Sequence, residues 1–337
     1  MKVLIPSYDN QLFIQEVIKC LGNSCDITES FEDFWLCRNH YDIIHLQWPE
    51  YLFKWRLPSD LELLLLTDVL SRWKSKGTRI VITRHNYLPH RPNNLAYEAL
   101  YRCVYSNVDG VVHLGHFSVD EFEERYEGKF LSDVDHRVVL HPIFTSYPNY
   151  STYETARNHL NFGDSDFVIL VFGEVRTAKE KKFILDFFAK IKRPGKKLMV
   201  PNWKFSESKE PLNAFRWELI KRMKRFILLN EYIPLEEVHY YVNAADLVLI
   251  PRIDTLNSGV PFLTIGFNTP TIGFKAGNLG EHLGMFNMNI LENFDDLDSV
   301  NTCIQQMHHS QKSKEEILSF NISIGQGLYK FYKDIIS

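Results

Sequence analysis

Short apolar segments alternate with helical patterns along almost the whole chain, and this alternation constrains the fold more than any other feature. Most of the apolar segments are continuously hydrophobic, as is typical of parallel strands that are buried on both faces. The predicted strands are Lys2–Pro6, Asp42–Gln47, Arg79–Thr83, Gly110–Leu114, Arg137–Leu140, Phe167–Phe172, Lys197–Val200, Phe226–Leu229, Asp246–Pro251 and Thr271–Phe274. Repeated strand–helix units of this kind predict a doubly wound α/β fold.

Helical periodicity fills the intervals between these strands. The predicted helices are Gln11–Leu21, Ser59–Lys76, Leu95–Ser106, Ser118–Tyr126, Ala178–Ile191 and Lys314–Ile336. We expect the last of them to pack back across the preceding domains.

The length of 337 residues predicts about two domains. The polar, proline-containing segment His141–Asp164 is interpreted as the link between them. The predicted domains are residues 1–145, with part of residues 315–337 packing back, and residues 160–314. The alternative is a long loop within one sheet, but ten strands in one open sheet would be unusual. Two such domains facing a central cleft would direct the carboxyl ends of their strands, where ligands bind, toward that cleft.

Composition excludes several classes of protein. The formal net charge of −4 gives no support to nucleic-acid binding. The five cysteines are scattered and form no CxxC pair, which argues for a reducing compartment and against a zinc site or disulfide framework. No apolar run approaches the roughly 20 residues of a spanning helix, and the amino terminus does not resemble a signal peptide. We therefore expect a cytoplasmic protein.

Two strand ends carry residues that suit a phosphate group. Asn257-Ser258-Gly259 separates the apolar run Leu247–Ile250 from a second apolar stretch, as a loop before a helix N-terminus would. An ordinary helix cap at Asn257 or Ser258 is the alternative. Gly173 directly follows another predicted strand, and Arg176 and Lys179 come next. They suit a diphosphate clamp, whereas the alternative is a solvated helix start.

Taken together, these segments resemble GT-B glycosyltransferases of the large retaining family 4, which includes many capsule and lipopolysaccharide enzymes. The segment GEVRTAKE resembles the family's Gly-x-[IL]-Arg-x-x-Lys strand end. In its nucleotide-binding half, Tyr232-Ile233-Pro234 precedes a helix, and Asn257–Gly259 forms the phosphate loop. In the first half, DIIHLQWPEYLF, IVITRHN and VDGVVHLGHFSVDEFEERY resemble further strand-end motifs.

The resemblance implies a function and roles for individual residues. It implies two Rossmann-like domains facing a cleft and transfer of a sugar from a nucleoside-diphosphate sugar to a glycan or lipid-linked glycan. Arg176, Lys179, Asn257, Ser258 and Gly259 would bind the donor diphosphate. Tyr232 and Ile233 would bind the nucleoside, and His85 would face the donor sugar. The nucleotide sugar would be a substrate, so no cofactor is expected, and the cations would replace a metal ion.

One departure from the family concerns its paired glutamates, Glu-x7-Glu, the second of which meets the donor ribose. Thr255 and Leu263 occupy the corresponding positions, and Asp254 lies next to the first of them. If the enzyme inverts, Glu50, Asp9 or Asp254 is the natural base. If it retains, the donor phosphate takes the acceptor proton and no protein base is needed.

The acceptor-side candidates are Asp9, Gln47, Trp48, Glu50 and His116. His113 and His116 are alternatives to His85 as the catalytic histidine, whereas His45 is interpreted as a packed side chain.

The aromatic segment Tyr51–Trp55 has two interpretations. It suits a peripheral membrane contact on the inner face of the cell membrane, or it starts a core-packing helix. Two other functions also stay open for the whole chain, namely a nucleotide-sugar epimerase and a non-catalytic nucleotide-binding module.

Overall fold

The computed structural model describes residues 1–8, 11–89, 94–126, 134–204, 223–292, 299–307 and 311–337. The chain divides into two compact units. The first comprises Met1–Ile143 and Lys314–Ser337, and the second comprises Phe144–Ser313. Each unit has its own parallel sheet, with buried apolar clusters on it.

Within the described residues, the first unit contains six strands, which we label β1 to β6. They are Lys2–Ile5, Asp26–Glu29, Ile43–Leu46, Arg79–Arg84, Gly110–His113 and Asp135–Val138. Their order in the sheet is β2-β1-β3-β4-β5-β6, and all these pairings are parallel. Every residue of β3 and β5 is buried, as continuous apolar strands covered on both faces should be.

The second unit likewise contains six described strands, β7 to β12. They are Phe167–Leu170, Lys196–Val200, Phe226–Leu228, Leu247–Leu249, Thr271–Phe274 and Asn289–Leu291. Their order is β12-β11-β10-β7-β8-β9, again with parallel pairing. This arrangement is the doubly wound order in which the first and fourth strands of the unit are neighbours.

All the predicted strands are confirmed, with ends that differ by no more than two residues. Two strands were not predicted, Asp26–Glu29 and Asn289–Leu291, and both lie at the edge of a sheet. An edge strand is covered on fewer sides, and most residues of these two are only partly buried. They therefore lack the continuous apolar run that identified the other strands.

The described α-helices, labelled α1 to α12 in chain order, flank these sheets. They are Leu12–Leu21, Phe31–Leu36, Asp60–Ser75, Glu98–Tyr105, Phe117–Tyr126, Tyr153–His159, Ala178–Lys190, Val238–Ala244, Val260–Gly266, Leu279–Met285, Val300–Gln305 and Lys314–Ile336. Short 3-10 turns occupy Gly22–Ser24, Pro49–Phe53, Asn94–Tyr97 and Leu235–Glu237. Among the residues that the structure describes, no helix is long and apolar enough to cross a membrane.

The C-terminal helix α12 belongs to the first unit, where specific contacts hold it. Gly325 lies against α1 so closely that a Cβ atom there would clash with the carbonyl oxygen of Cys20. The Asn321 side chain accepts a hydrogen bond from the backbone N–H of Ile143 at 2.9 Å and donates one to its carbonyl at 2.8 Å. The Tyr332 hydroxyl lies 2.6 Å from His45 Nδ1 in β3.

The segment predicted as a linker, His141–Asp164, belongs to the second unit from Phe144 onward. It contains helix α6, which begins with a capping box at Thr152. The buried guanidinium of Arg157 lies 3.1 Å from Asp246 and donates to the carbonyl of Gly163 at 2.6 Å. The polar residues that indicated a linker therefore include some that hold this helix to the sheet.

Candidate functional site

The second unit has a topological switch point between β7 and β10. These strands are neighbours in the sheet, although β8 and β9 lie between them in the chain. In open parallel sheets, ligands bind beyond the carboxyl ends of the strands at such a point. The segments that follow β7 and β10, residues 171–180 and 250–259, are therefore the first place to look for a ligand.

Two backbone amides just before helix α7 are already occupied. Gly173 has a φ of +89°, which lets the chain turn away from the sheet. Thr177 caps helix α7, and the buried Glu180 carboxylate accepts the N–H groups of Arg176 at 2.6 Å and Thr177 at 3.2 Å. Because Glu180 takes these amides, a ligand here would be bound by side chains of the loop rather than by these two amides.

Arg252, directly after Pro251 and β10, connects the two segments. Its side chain is largely buried, with Nη1 2.5 Å from Glu180 Oε1 and with Nη2 donating to the carbonyl of Glu174. The loop after β10 is thus tied both to the loop after β7 and to the cap of α7.

Arg176 and Lys179 are exposed at the start of this helix. The pKa of Arg176 is lowered to about 10, first by desolvation and second by repulsion from Arg252, while Glu180 opposes the shift. A guanidinium with this pKa remains protonated at neutral pH, so Arg176 presents an exposed positive charge that an anion would stabilise.

The fully buried side chain of Asn278 holds the Asn257–Gly259 loop in place. Asn278 donates from Nδ2 to Asn257 Oδ1 at 2.7 Å, and its backbone N–H donates to Leu256 at 2.8 Å. Gly277 permits this approach, because its φ is +51° and a Cβ atom would collide with backbone oxygens of the loop. Ser258 Oγ accepts from the N–H of Val260 at 3.3 Å.

A cavity of about 300 Å³ opens beyond the ends of β7, β8 and β9. Its lining includes Gly173, Asn202 and the segment Glu231–Ile233. Tyr232 is 84% exposed, whereas Ile233 is partly buried. The predicted nucleoside residues therefore share one cavity with Gly173, whereas the predicted diphosphate residues Arg176, Lys179 and Asn257–Gly259 are not among its lining residues. The cavity volume is at the lower end of the range for small-molecule sites.

In the first unit, three predicted residues meet where β3 and β4 end. The imidazole of His85 stacks on Trp48 with ring centroids 4.0 Å apart and planes 20° apart. His85 Nε2 lies 3.0 Å from Gln47 Oε1, and Phe13 meets the imidazole edge-on at 4.6 Å. Burial, reinforced by His141 and His45, lowers the pKa of His85 well below its ordinary value, so the imidazole is neutral at neutral pH.

Gln47 also carries a polar atom without a partner. Its side chain is buried, and within the described part of the chain its Nε2 amide has no hydrogen-bond partner. A buried amide without a hydrogen-bond partner costs about 1–3 kcal/mol. An oxygen atom of a bound ligand would accept a hydrogen bond from this amide and remove that cost.

Comparison with known proteins gives one weak sequence relative and many structural ones. No family model matches the chain. It is 23% identical over 239 residues to a GDP-mannose:glycolipid 4-beta-D-mannosyltransferase of Xanthomonas campestris pv. campestris, a match that covers 69% of this chain but only 61% of that protein.

Among solved structures, Anabaena HepE in complex with UDP matches at 12% identity over 99% of both chains, with a TM-score of 0.65. A glycosyltransferase of Rickettsia africae matches at 13% identity over 100% of this chain and 98% of that one, with a TM-score of 0.62. Sucrose-phosphate synthase of Thermosynechococcus elongatus matches at 12% identity over 100% and 95%, with a TM-score of 0.59. These likenesses extend over both doubly wound units. The chain has the GT-B fold.

The GT-B fold class is thus confirmed, whereas the roles of individual residues stay predictions. Asp254 is exposed on the loop after β10. Thr255 and Leu263, at the positions of the family's glutamates, are both buried, and Thr255 donates to the carbonyl of Asn257. His116 is exposed just before α5. Asp9 lies outside the described residues.

Two other predicted side chains of the first GT-B unit are buried. Glu50 is 2% exposed and accepts a hydrogen bond at 2.9 Å from Tyr101 in α4. His45 makes contacts with Tyr332 and Thr83, and burial lowers its pKa to about 3, so its interpretation as a packed histidine is confirmed.

The membrane interpretation of Tyr51–Trp55 needs correction. Tyr51, Leu52 and Phe53 are each less than 10% exposed, and they pack in the cores of the first unit. Side chains that are already buried cannot insert into a bilayer, so the structure supports the core-packing alternative. Only Lys54 and Trp55 of this segment retain substantial exposure.

Sequence reasoning missed Arg252 and Asn278. Arg252 carried a usable signal, because it follows a predicted strand end as Arg176 does. Asn278 carried none, since an asparagine after β11 is an ordinary turn residue until its contact with Asn257 is seen.

Proposed function

We propose that this protein is a glycosyltransferase that moves a sugar from a nucleoside-diphosphate sugar to a glycan or lipid-linked glycan acceptor. The observation that carries the proposal is the arrangement at the switch point of the second unit. There Arg176, which Arg252 repels, and Lys179 are exposed at the start of α7, and Gly173 of the same loop lines one cavity with Tyr232 and Ile233. The Xanthomonas relative is named for GDP-mannose and a glycolipid, and Anabaena HepE has been solved with UDP and UDP-glucose, which supports the same substrate class.

The chemistry of sugar transfer explains why such a site needs fixed cations. Cleavage between the anomeric carbon and the diphosphate places negative charge on the departing phosphate. Arg176 and Lys179 accelerate the reaction if they stabilise that charge more strongly in the transition state than in the bound donor. Arg252 and Glu180 hold their loop in place beforehand.

We further propose that transfer requires no metal ion. The guanidinium and ammonium groups supply the positive charge that a divalent cation otherwise supplies to a diphosphate. In the described residues, no three His, Cys, Asp or Glu side chains group together as metal ligands would. The test is whether transfer persists in EDTA.

On the acceptor side, we propose roles for His85, Gln47 and Trp48. A neutral imidazole can exchange hydrogen bonds with sugar hydroxyls without adding charge. Gln47 Nε2 is a hydrogen-bond donor with no acceptor among the described residues, and a sugar hydroxyl oxygen can accept from it. The apolar face of a sugar ring packs well on an indole, so Trp48 completes a carbohydrate-binding surface.

The stereochemical outcome separates two versions of the mechanism. The family resemblance implies retention, in which the donor phosphate takes the acceptor proton. The name of the Xanthomonas relative specifies a β-linked product, and with an α-linked donor such a product requires inversion and a protein base. We propose retention. Proton NMR of the first-formed product measures the anomeric configuration directly, and an inverted product would make the exposed Asp254 the base to test.

A thermal-shift panel with UDP, GDP, ADP, CMP and their sugar conjugates, with and without EDTA, tests the proposed function. A ligand at one hundred times its dissociation constant adds about 2.7 kcal/mol to the stability of the state that binds it. We expect a selective shift that EDTA does not abolish, followed by sugar transfer to an acceptor. Conversion of the donor to a free isomer would instead indicate an epimerase. Binding without transfer or hydrolysis would indicate a non-catalytic module, and no shift would contradict the proposal.

A further inference from the structure

The cavity in the second unit is lined by two carboxylates that differ in their partners. At the end of β7, the Glu174 carboxylate is paired with the ammonium group of Lys204. At the end of β9, Glu231 also lines the cavity, and its side chain is exposed. Tyr147, Ile233 and Val238 also line the cavity and contribute a ring and apolar groups.

The backbone of Glu231 is fixed while its carboxylate remains available. The N–H of Glu231 donates to the carbonyl of Pro201 at 3.0 Å, which holds the residue against the end of β8. Across the part of the chain that the structure describes, no hydrogen bond or ion pair engages its carboxylate. Glu231 thus has a fixed backbone and an exposed carboxylate, and it belongs to the lining of a cavity of about 300 Å³.

The edges of the nucleobases differ in how they meet such a group. A carboxylate only accepts hydrogen bonds, and it can accept two in parallel. Guanine presents two adjacent donors, N1–H and the exocyclic N2 amine. Uracil presents one N–H between two carbonyl oxygens, and a carboxylate repels those oxygens. Adenine and cytosine each place one amine beside a ring nitrogen that is itself an acceptor. Only guanine therefore offers a carboxylate two donors side by side.

From this geometry we propose that the donor nucleotide is a guanosine diphosphate sugar, and that Glu231 selects it by accepting hydrogen bonds from guanine N1–H and N2–H. The inference rests on the proposed function and specifies its substrate class. Tyr232, exposed beside Glu231, offers a ring for stacking on the base. Selection by a charged acceptor discriminates strongly, since the wrong base leaves the carboxylate unsatisfied and meets it with oxygen lone pairs.

Calorimetric titration of the full chain with GDP, IDP, UDP and ADP tests the proposal. IDP differs from GDP only in lacking the N2 amine. We expect GDP to bind about tenfold or more tightly than UDP and ADP, and IDP to lose about tenfold, the scale of one charge-assisted hydrogen bond. Glu231→Gln replaces one acceptor oxygen with a donor, so we expect it to weaken GDP about tenfold and to leave UDP within about twofold.

The matched control is Glu236→Gln, since Glu236 is an exposed glutamate in the 3-10 turn that follows residues 231–233, and it is not among the cavity-lining residues. It should leave every affinity unchanged. Equal or tighter binding of UDP or ADP would overturn the guanine assignment and leave the proposed function standing. An unchanged GDP to IDP ratio in Glu231→Gln would overturn the role of Glu231. Failure of all four diphosphates to bind would overturn both this inference and the proposed function.

Discussion

At the scale of single residues, the loop that carries the exposed cations of the candidate donor site is held by the buried charges of Glu180 and Arg252. Glu180 caps α7 and takes the two amides that precede it, and Arg252 neutralises Glu180 from the neighbouring strand end. What remains exposed are the side chains of Arg176 and Lys179. The backbone that carries Arg176 is therefore held by a carboxylate that is itself in a buried ion pair.

The first prediction concerns these two cations. Replacing Arg176 or Lys179 with alanine removes charge that acts on the departing diphosphate, so each variant should lose about a hundredfold in kcat with little change in stability. Ser258→Ala should have a smaller effect. The measurement is steady-state transfer alongside thermal unfolding, with Lys182→Ala, an exposed lysine of the same helix, as the control. Full activity in the Arg176/Lys179 double variant would rule out the clamp.

The second prediction concerns the buried pair. Arg252→Met leaves the Glu180 carboxylate buried without its partner, which should cost about 3 kcal/mol or more in the free energy of unfolding. Arg252→Met combined with Glu180→Gln removes both charges and should recover part of that loss. A double-mutant cycle from urea unfolding measures the coupling. Additive effects of the two substitutions would mean that the pair contributes nothing.

At the scale of secondary-structure elements, the C-terminal helix α12 shows how one position can set a packing distance. Gly325 is buried against the backbone of α1, whereas Gly327, two residues further along, has open space around it. Both glycines have the same intrinsic cost in a helix, about 1 kcal/mol relative to alanine. Only their surroundings differ.

This difference gives a third prediction with an internal control. Gly327→Ala should stabilise the protein by up to about 1 kcal/mol, because it removes only the conformational cost of glycine. Gly325→Ala should destabilise it, because the new Cβ would meet the Cys20 carbonyl and push α12 away from α1. Thermal unfolding of both variants measures the sign of each change. Stabilisation by Gly325→Ala would show that the two helices separate at no cost.

At the scale of the whole molecule, the first unit holds three buried histidines at the ends of, or within, its central strands. Burial lowers the pKa of His45 to about 3 and that of His113 to about 2, and it lowers the pKa of His85 well below 6.5. His45 and His113 are therefore neutral in the folded protein at pH 5, while the unfolded chain protonates both below about pH 6.5. The unfolded state then binds more protons, so stability must fall as the pH falls.

The fourth prediction follows from this sign. Between pH 7 and pH 5, His45 and His113 should each lower the free energy of unfolding by about 2 kcal/mol, with no loss above pH 7. Urea unfolding at both pH values should show the decrease in wild type and a smaller one in His45→Gln. The exposed His40 provides the control substitution. A stability that is equal at pH 7 and pH 5 would contradict the neutral buried state.

The sequence by itself determined the fold class and most of its strands. Continuous apolar runs such as Gly110–Leu114 exist because both faces of a central parallel strand are covered, and that requirement is written locally in the chain. The strand ends that carry Gly173, Arg176 and Asn257 could be located for the same reason. Edge strands such as Asp26–Glu29 could not, because partial exposure removes the apolar signal.

Only the tertiary structure decided what those strand ends contact. Arg252 reaches Glu180 across 72 positions of the chain, and Asn278 reaches Asn257 across the loop that it supports. It also decided that Glu50 and Tyr51 are buried rather than presented to an acceptor or a membrane. The physical reason is that apolar burial depends on each residue's own pattern, whereas ion pairs, orphaned amides and cavity walls depend on which distant segments the fold brings together.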